Sequence, residues 1–196
     1  MVGWVSDIAC KNNIYFWRKH FNMKKLLPLL FTLMTLSTFA QENVDTLTID
    51  FEKIFEVDTS ISSTELYSRA REWFANNFKS ANNVLQMDDK ESGKLIGHGS
   101  IKVTYKALGM VYDGGYVDFT ASIFVRACRY KVVLKDFIHN PASQVPSQGN
   151  LNGMHYKGGI SLKQWRSIKQ QAYSHREGMI ASIIKTMSSS DKKSDW

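Results

Sequence analysis

Val117, Phe119, Ala121, Ile123 and Val125 alternate with Asp118, Thr120, Ser122 and Arg126. A period of two puts the apolar side chains on one face of a strand and the polar ones on the other. Such a strand is half-buried and belongs in an antiparallel sheet with one covered and one wet face. The rest of the chain must supply both its neighbours and its cover.

Four more strands are read in the same way. Leu47, Ile49 and Phe51 alternate with Thr48 and Asp50, and Phe55 and Val57 resume the pattern beyond Lys53, giving a first strand over Thr48–Asp58. Val84–Met87 follows an Asn82-Asn83 turn, and Asp88–Gly93 is a charged turn. Lys94–Lys106 carries Ile101, Val103 and Tyr105 in alternation with Ser100, Lys102 and Thr104. Gly97 and Gly99, flanking His98, predict a bulge or a close backbone approach. Asp113-Gly114-Gly115 predicts a turn. Arg126–Arg129 reads as a tight hairpin leading into a fifth strand through Tyr130, Val132 and Leu134, ending near His139.

The cover comes from two capped helices. Ser62 and Glu65 form a capping box, with Ile61 and Leu66 placed for a hydrophobic staple. Leu66, Ala70, Trp73, Phe74 and Phe78 follow on one helical face, with Arg69, Arg71, Glu72 and Lys79 mostly on the other. Ser161 and Gln164 open a second helix whose stripe is Leu162, Trp165, Ile168, Ala172, Met179, Ile180, Ile183 and Met187, interrupted by Gly178. Between fifth strand and second helix lies a long irregular stretch, His139–Ile160, of the kind that is usually functional or disordered. The expected fold is therefore a single α+β domain over 48–187, in the order β-α-β-β-β-β-α. A five-stranded curved antiparallel sheet carries both helices on one face. A flexible lead, 41–47, and a disordered tail, 188–196, flank it.

The first 40 residues follow different rules. Met23 opens a segment with Lys24 and Lys25, an apolar stretch from Leu26 to Leu36, and small residues before an Ala40-Gln41 junction, the form of a cleavable export signal. The stretch is roughly 11 residues, short of the ~20 needed to span a bilayer. Residues 1–22 have no clear period and read as an upstream extension, with Met23 the true start; the alternative is an unusually long n-region. Cleavage at Ala40-Gln41 would place the domain in the periplasm or outside the cell, with no membrane span in the mature form. It would remove five of the 25 basic and one of the 18 acidic residues, lowering the formal net charge from +7 to +3. That surface is too weakly basic for a polyanion partner. Only Cys128 would remain, so no internal disulfide is expected in the cleaved chain.

The run Phe51-x-Lys53-Ile54-Phe55-x-Val57, then Glu65-Leu66-Tyr67-x-Arg69-Ala70-x-x-Trp73, Phe78, and Val84-Leu85-Gln86-x-Asp88-x-x-x-Gly93-x-Leu95-x-Gly97-x-Gly99 resembles an exported bacterial family, the domain of unknown function 4468, described as having a TBP-like fold. The resemblance implies the element order already read. It implies no activity and carries over no catalytic residue. The groove-binding saddle of the TATA-binding protein uses two repeats of this unit and the present chain has one, so no nucleic-acid partner is expected.

His98, His139, His155 and His175 are scattered without metal-ligand spacing, and each reads more simply as an ordinary structural or solvated histidine. Cys128, between Arg126 and Arg129, has the cationic neighbours that lower a thiol pKa but no local base, and reads as a turn residue. Gly158-Gly159 precedes the second helix with Lys157 and Lys163 nearby; it could hold an anion but reads as a linker and cap. No catalytic, metal or cofactor-binding residue is assigned, and no cofactor is expected.

The leading expectation is a non-enzymatic envelope module for binding or protein interaction. Phe124, Val133 and Phe137 fall on the off-phase positions of the last two strands and form a candidate interaction surface on the uncovered face. The alternative is a register shift that merely changes the phase. A second expectation is carriage of a small apolar ligand between the long helix and the sheet, with 139–160 as a lid. A hydrolase ranks third.

Overall fold

The computed structural model describes residues 44–45, 47–78, 84–142, 146–153 and 159–188. The expected leader and upstream extension lie outside the described residues, as do His155, Lys157, Gly158 and almost all of the tail. The elements are β1 (Phe51–Glu56), α1 (Ser63–Asn77), β2 (Leu85–Asp89), β3 (Lys94–Ala107), β4 (Met110–Arg126), β5 (Arg129–Asn140), β6 (Gly149–Asn150) and α2 (Leu162–Ser188). They form one antiparallel sheet in the order β1-β5-β4-β3-β2. The expected five strands become six because β6 also pairs with β5, beyond the end of β1.

Both helices pack on one sheet face. Leu66, Trp73 and Phe74 of α1 and Trp165, Ile168, Ile180 and Ile183 of α2 share a core with Leu95, Val103, Phe119, Ile123, Val132 and Leu134 of the strands. The alternation over Val117–Val125 is the inner face of β4, with every apolar member of that set buried. The second capping box closes both ways, Ser161 Oγ and the Gln164 side chain accepting from each other's N–H (3.3 and 2.7 Å), whereas in the first Ser62 Oγ accepts from Glu65 N–H (3.1 Å) and the Glu65 carboxylate pairs with Arg69 instead.

Three sequence expectations change, and a second helix arginine proves buried. Strand β1 begins at Phe51 rather than Thr48, because Ile49 and Asp50 donate their N–H groups to Asn152 Oδ1 (2.8 and 3.2 Å) instead of a strand neighbour. The hairpin turn between β3 and β4 is Leu108-Gly109, whereas Asp113-Gly114-Gly115 is a bulge inside β4: Val103 pairs with Gly115 and Thr104 with Asp113. Gly115 adopts φ +87, and a Cβ there would lie 2.2 Å from Asn140 O, so only glycine fits. Arg69 is buried; its guanidinium donates to Met187 O (2.9 Å), one of the carbonyls that the end of α2 leaves unmatched. Arg176 is likewise buried, donating to Thr48 O and Ile49 O (3.0 and 3.1 Å) and lying 4.1 Å from the Tyr173 ring centre.

The Gly97-x-Gly99 pair marks a close approach. The β3–β4 register runs unbroken from Lys94 to Val103. A Cβ on Gly97 would meet the Phe74 ring at 2.8 Å, and one on Gly99 would meet Phe119 and Phe78 at 2.5 and 2.7 Å. The glycines make room for a chain of rings, Trp73–Phe74–Phe78–Phe119–Phe137, with successive centres 5.0, 5.7, 6.3 and 5.5 Å apart.

The stretch 139–160 is tied to the sheet wherever it is described. Leu151 is buried and donates its N–H to Phe137 O (2.9 Å). His139 is buried too; its Nε2 bonds Gly114 O at 2.7 Å, which makes Nε2 the protonated nitrogen, and Nδ1 accepts from Gln148 N–H (3.1 Å). The carbonyl released by the β4 bulge is thus satisfied by a histidine that also pins the following loop. Cys128 is not a free thiol in the full chain; the expectation of a lone thiol concerned the cleaved one.

Candidate functional site

The face turned away from the helices carries the side chains that β-alternation sends outward. Register sets them in rows. One row runs Ile54, Lys131, Phe124, Lys94 and Asp89 across β1, β5, β4, β3 and β2. The next runs Glu52, Val133, Ser122, Ile96 and Met87. Together they make an apolar band: Ile54 is 56 % and Met87 42 % exposed, while Phe124, Val133 and Ile96 are half-buried.

The end of the band at the β4–β5 hairpin is cationic, while Glu52 and Asp89 stand at the outer ends of the rows. Lys131 sits 5.1 Å from the Phe124 ring centre and 3.0 Å from Glu52, so its ammonium is held over an aromatic face. A groove of about 340 Å³ at this end is lined by Ile54, Lys94, Phe124, Arg126, Arg129 and Lys131. Tyr130 also borders it, with burial pushing its phenol up to about 12.

Of the three residues expected to form the surface, two lie on this face and one does not. Phe124 and Val133 face outward. Phe137 is fully buried and stacks on Phe119 with ring centres 5.5 Å apart. The physical reason is a bulge: Thr120 pairs with Lys135 but Asp118 with Ile138, so β5 holds one extra residue. Asp136, at φ +60, absorbs it. The phase flips there, turning Phe137 and His139 inward and Ile138 outward. Ile54, Ile96 and the four cations were missed as a group. The off-phase apolar residues Ile54 and Ile96 were the available signal, and reading it required knowing which strands adjoin.

Further along the same face the polar side chains are bonded to one another. Ser100 Oγ and Asn140 Nδ2 both donate to Asp118, and His98 Nδ1 bonds Thr120 Oγ1 at 3.2 Å. Ser100 is therefore paired with a carboxylate rather than an imidazole, and this set does not make a nucleophile–base pair. Among the described residues no group of three or more His, Cys, Asp or Glu could hold a metal ion. His175 is exposed on α2, beside a groove of about 530 Å³ between the helices and β3 that also touches Phe78, Phe119 and Met179.

A buried cation unseen in the sequence is Lys169 on α2. Its Nζ lies 3.4 Å from Asp45 O and 5.1 Å from the Trp165 ring centre; burial pushes its pKa down, partly opposed by the charge of Asp45. Asp45 is in turn gripped by Arg166. This cluster anchors the lead into the domain.

Residues 51–140 match the family described as a domain of unknown function (DUF4468) with TBP-like fold. The resemblance read from the motifs of 51–106 thus holds and extends to the end of β5. Two solved structures share the fold. A DUF4468 family protein from Bacteroides ovatus superposes with a TM-score of 0.56 at 12 % identity, covering 74 % of this chain and 88 % of its own. A TBP-like protein from Parabacteroides distasonis gives a TM-score of 0.51 at 13 % identity, covering 74 % and 97 %. No curated protein matches the chain.

Proposed function

We propose, taking the family domain at residues 51–140 as the premise, that the chain is an exported, non-enzymatic binding module whose open sheet face docks a protein partner. The observation that carries this reading is the band Ile54–Phe124–Val133–Ile96–Met87 with Lys94, Arg126, Arg129 and Lys131 at its hairpin end. Apolar side chains supply contact area, and a cationic end selects for charge. The partner this face fits presents an apolar segment flanked by carboxylates. Removal of the Met23–Ala40 leader would deliver the domain to the envelope, where such a partner would be met.

A photo-crosslinking residue in place of Phe124 tests the reading in the native host, with the same residue in place of His175 as control for the helix side. Crosslinks to one protein from position 124, absent at 175 and lost on Arg126→Glu/Arg129→Glu, are expected. Crosslinks from 175 alone would refute the assignment of the face. A second reading, carriage of a small apolar ligand, is favoured by the groove beside Phe78 and Met179. Native mass spectrometry of host-purified protein distinguishes it by a bound mass that the crosslinking reading does not require.

A further inference from the structure

The β3–β4 hairpin outruns the sheet. Strand β2 pairs with β3 only as far as Gly97, and β5 pairs with β4 only from Tyr116 onward, so residues 104–107 and 110–113 have each other as their only strand neighbours among the described residues. A free hairpin end in water should be polar, and this one is apolar. Leu108 is 93 % exposed, Val111 63 % and Met110 57 %. Alternation puts Met110 and Val111 on opposite faces, so the end is apolar on both faces and at its tip. Leu108 also stands at φ +50, followed by Gly109 at φ +79. A turn with both central residues left-handed favours asparagine or aspartate before glycine. A fully exposed leucine there suits neither the backbone nor the solvent.

We propose that this hairpin end is a wedge that enters the headgroup layer of an anionic lipid surface. A protein groove would cover one face of the hairpin; apolar side chains on both faces and at the tip call for a medium that surrounds it. Tyr105 and Tyr112 stack just behind, with ring centres 5.6 Å apart and planes at 12°. Amphipathic rings of this kind favour the level where chains meet headgroups. At ~3.4 Å per residue they stand roughly 10 Å from the turn, comparable with the depth of the interfacial layer. Lys106 is exposed opposite Val111, and Lys102 follows on the same face. The long stem of Lys106 lets its ammonium reach anionic headgroups while the tip sits deeper. The acidic residue of the hairpin end, Asp113, is already engaged by Lys102 (3.2 Å) and by Gly115 N–H (2.8 Å). Ala107 and Met110 pair next to the turn, and the outward-facing backbone groups of this two-stranded end, those of Lys106 and Val111 among them, find hydrogen bonds in the hydrated headgroup layer. The wedge and the groove at Phe124 occupy opposite ends of β4, and neither reading depends on the other.

The test uses the full chain with Met110 replaced by a genetically encoded environment-sensitive fluorophore. This reads the tip itself, whatever the apolar Met23–Ala40 segment does. Vesicles of phosphatidylcholine with one third phosphatidylglycerol should shift the emission to the blue, and lipids brominated along their chains should quench it. Leu108→Asn, which suits the turn, should leave the protein at least as heat-stable and raise the lipid needed for half-maximal shift at least tenfold. No shift with anionic vesicles, an equal shift with phosphatidylcholine alone, or an unchanged response in Leu108→Asn would overturn the proposal. So would a shift produced by raising protein concentration without lipid, which would assign the tip to a second copy of the chain.

Discussion

At the scale of single residues, the core is organised around missing side chains. Gly97 and Gly99 sit on the covered face of β3 because Phe74, Phe78 and Phe119 occupy the space their Cβ atoms would fill. Gly99→Ala should therefore lower unfolding free energy by about 1–3 kcal/mol, since rings from two elements would have to move together. Urea denaturation measures this; a loss below a few tenths of a kcal/mol would mean the rings yield freely. The pattern was legible as either a bulge or a close approach. Choosing between them required knowing that α1 delivers its aromatic stripe onto this strand. Arg69 and Arg176 teach the same lesson with opposite sign. Each looks like a solvated helix residue, yet each is buried because a backbone carbonyl from a distant element awaits its guanidinium.

At the scale of elements, the two helices are the most self-contained. Their capping boxes and apolar stripes are local, so they can be read without knowing the fold. Gly178 is an exception inside α2: it is exposed, and a Cβ would meet nothing within 4 Å. Gly178→Ala should raise stability by about 1 kcal/mol through helix propensity alone, and a denaturant midpoint that fails to rise would show an unrecognised need for glycine. The β3–β4 turn is a second element out of tune with its chemistry. Relieving the left-handed leucine by Leu108→Asn should add about 1 kcal/mol, seen as a higher Tm. Asp113-Gly114-Gly115 carries the stronger turn signal by composition, but glycine serves a bulge as well as a turn, and here the strand continues through it.

On the scale of the whole molecule, several carboxylates tie separate elements together. Asp88 of β2 accepts from Tyr67 and from Arg71 (2.9 Å) of α1, and these contacts, the Tyr67 hydrogen bond foremost, hold its pKa below the usual carboxylate range. Asp45 and Asp113 are held low as well, by Arg166 and chiefly by Gly115 N–H respectively. A carboxylate whose pKa is lower folded than unfolded stabilises the fold above its unfolded value and loses that contribution as pH falls through the folded one. Stability should thus decline below about pH 4, the ordinary aspartate value. Asp88→Asn should cost about 1 kcal/mol at pH 7, a figure discounted for its partly exposed partner, and should flatten part of the acid decline. Parallel thermal melts of parent and variant from pH 7 to pH 3 would decide it; identical slopes would remove Asp88 from the account.

The amino-acid sequence by itself determined the element order, the two capped helices, the inner face of β4 and the family resemblance, because these rest on periodicity and short-range chemistry. Tertiary structure decided the rest. Whether Phe137 belongs with Phe124 and Val133 depended on one extra residue in β5, and a one-residue slip turns every later side chain to the other face. Which outward side chains become neighbours depended on strand order, since β1 reaches Phe124 only across β5. Pairing between distant strands is settled by packing and loop closure, and neither leaves a local trace in the chain.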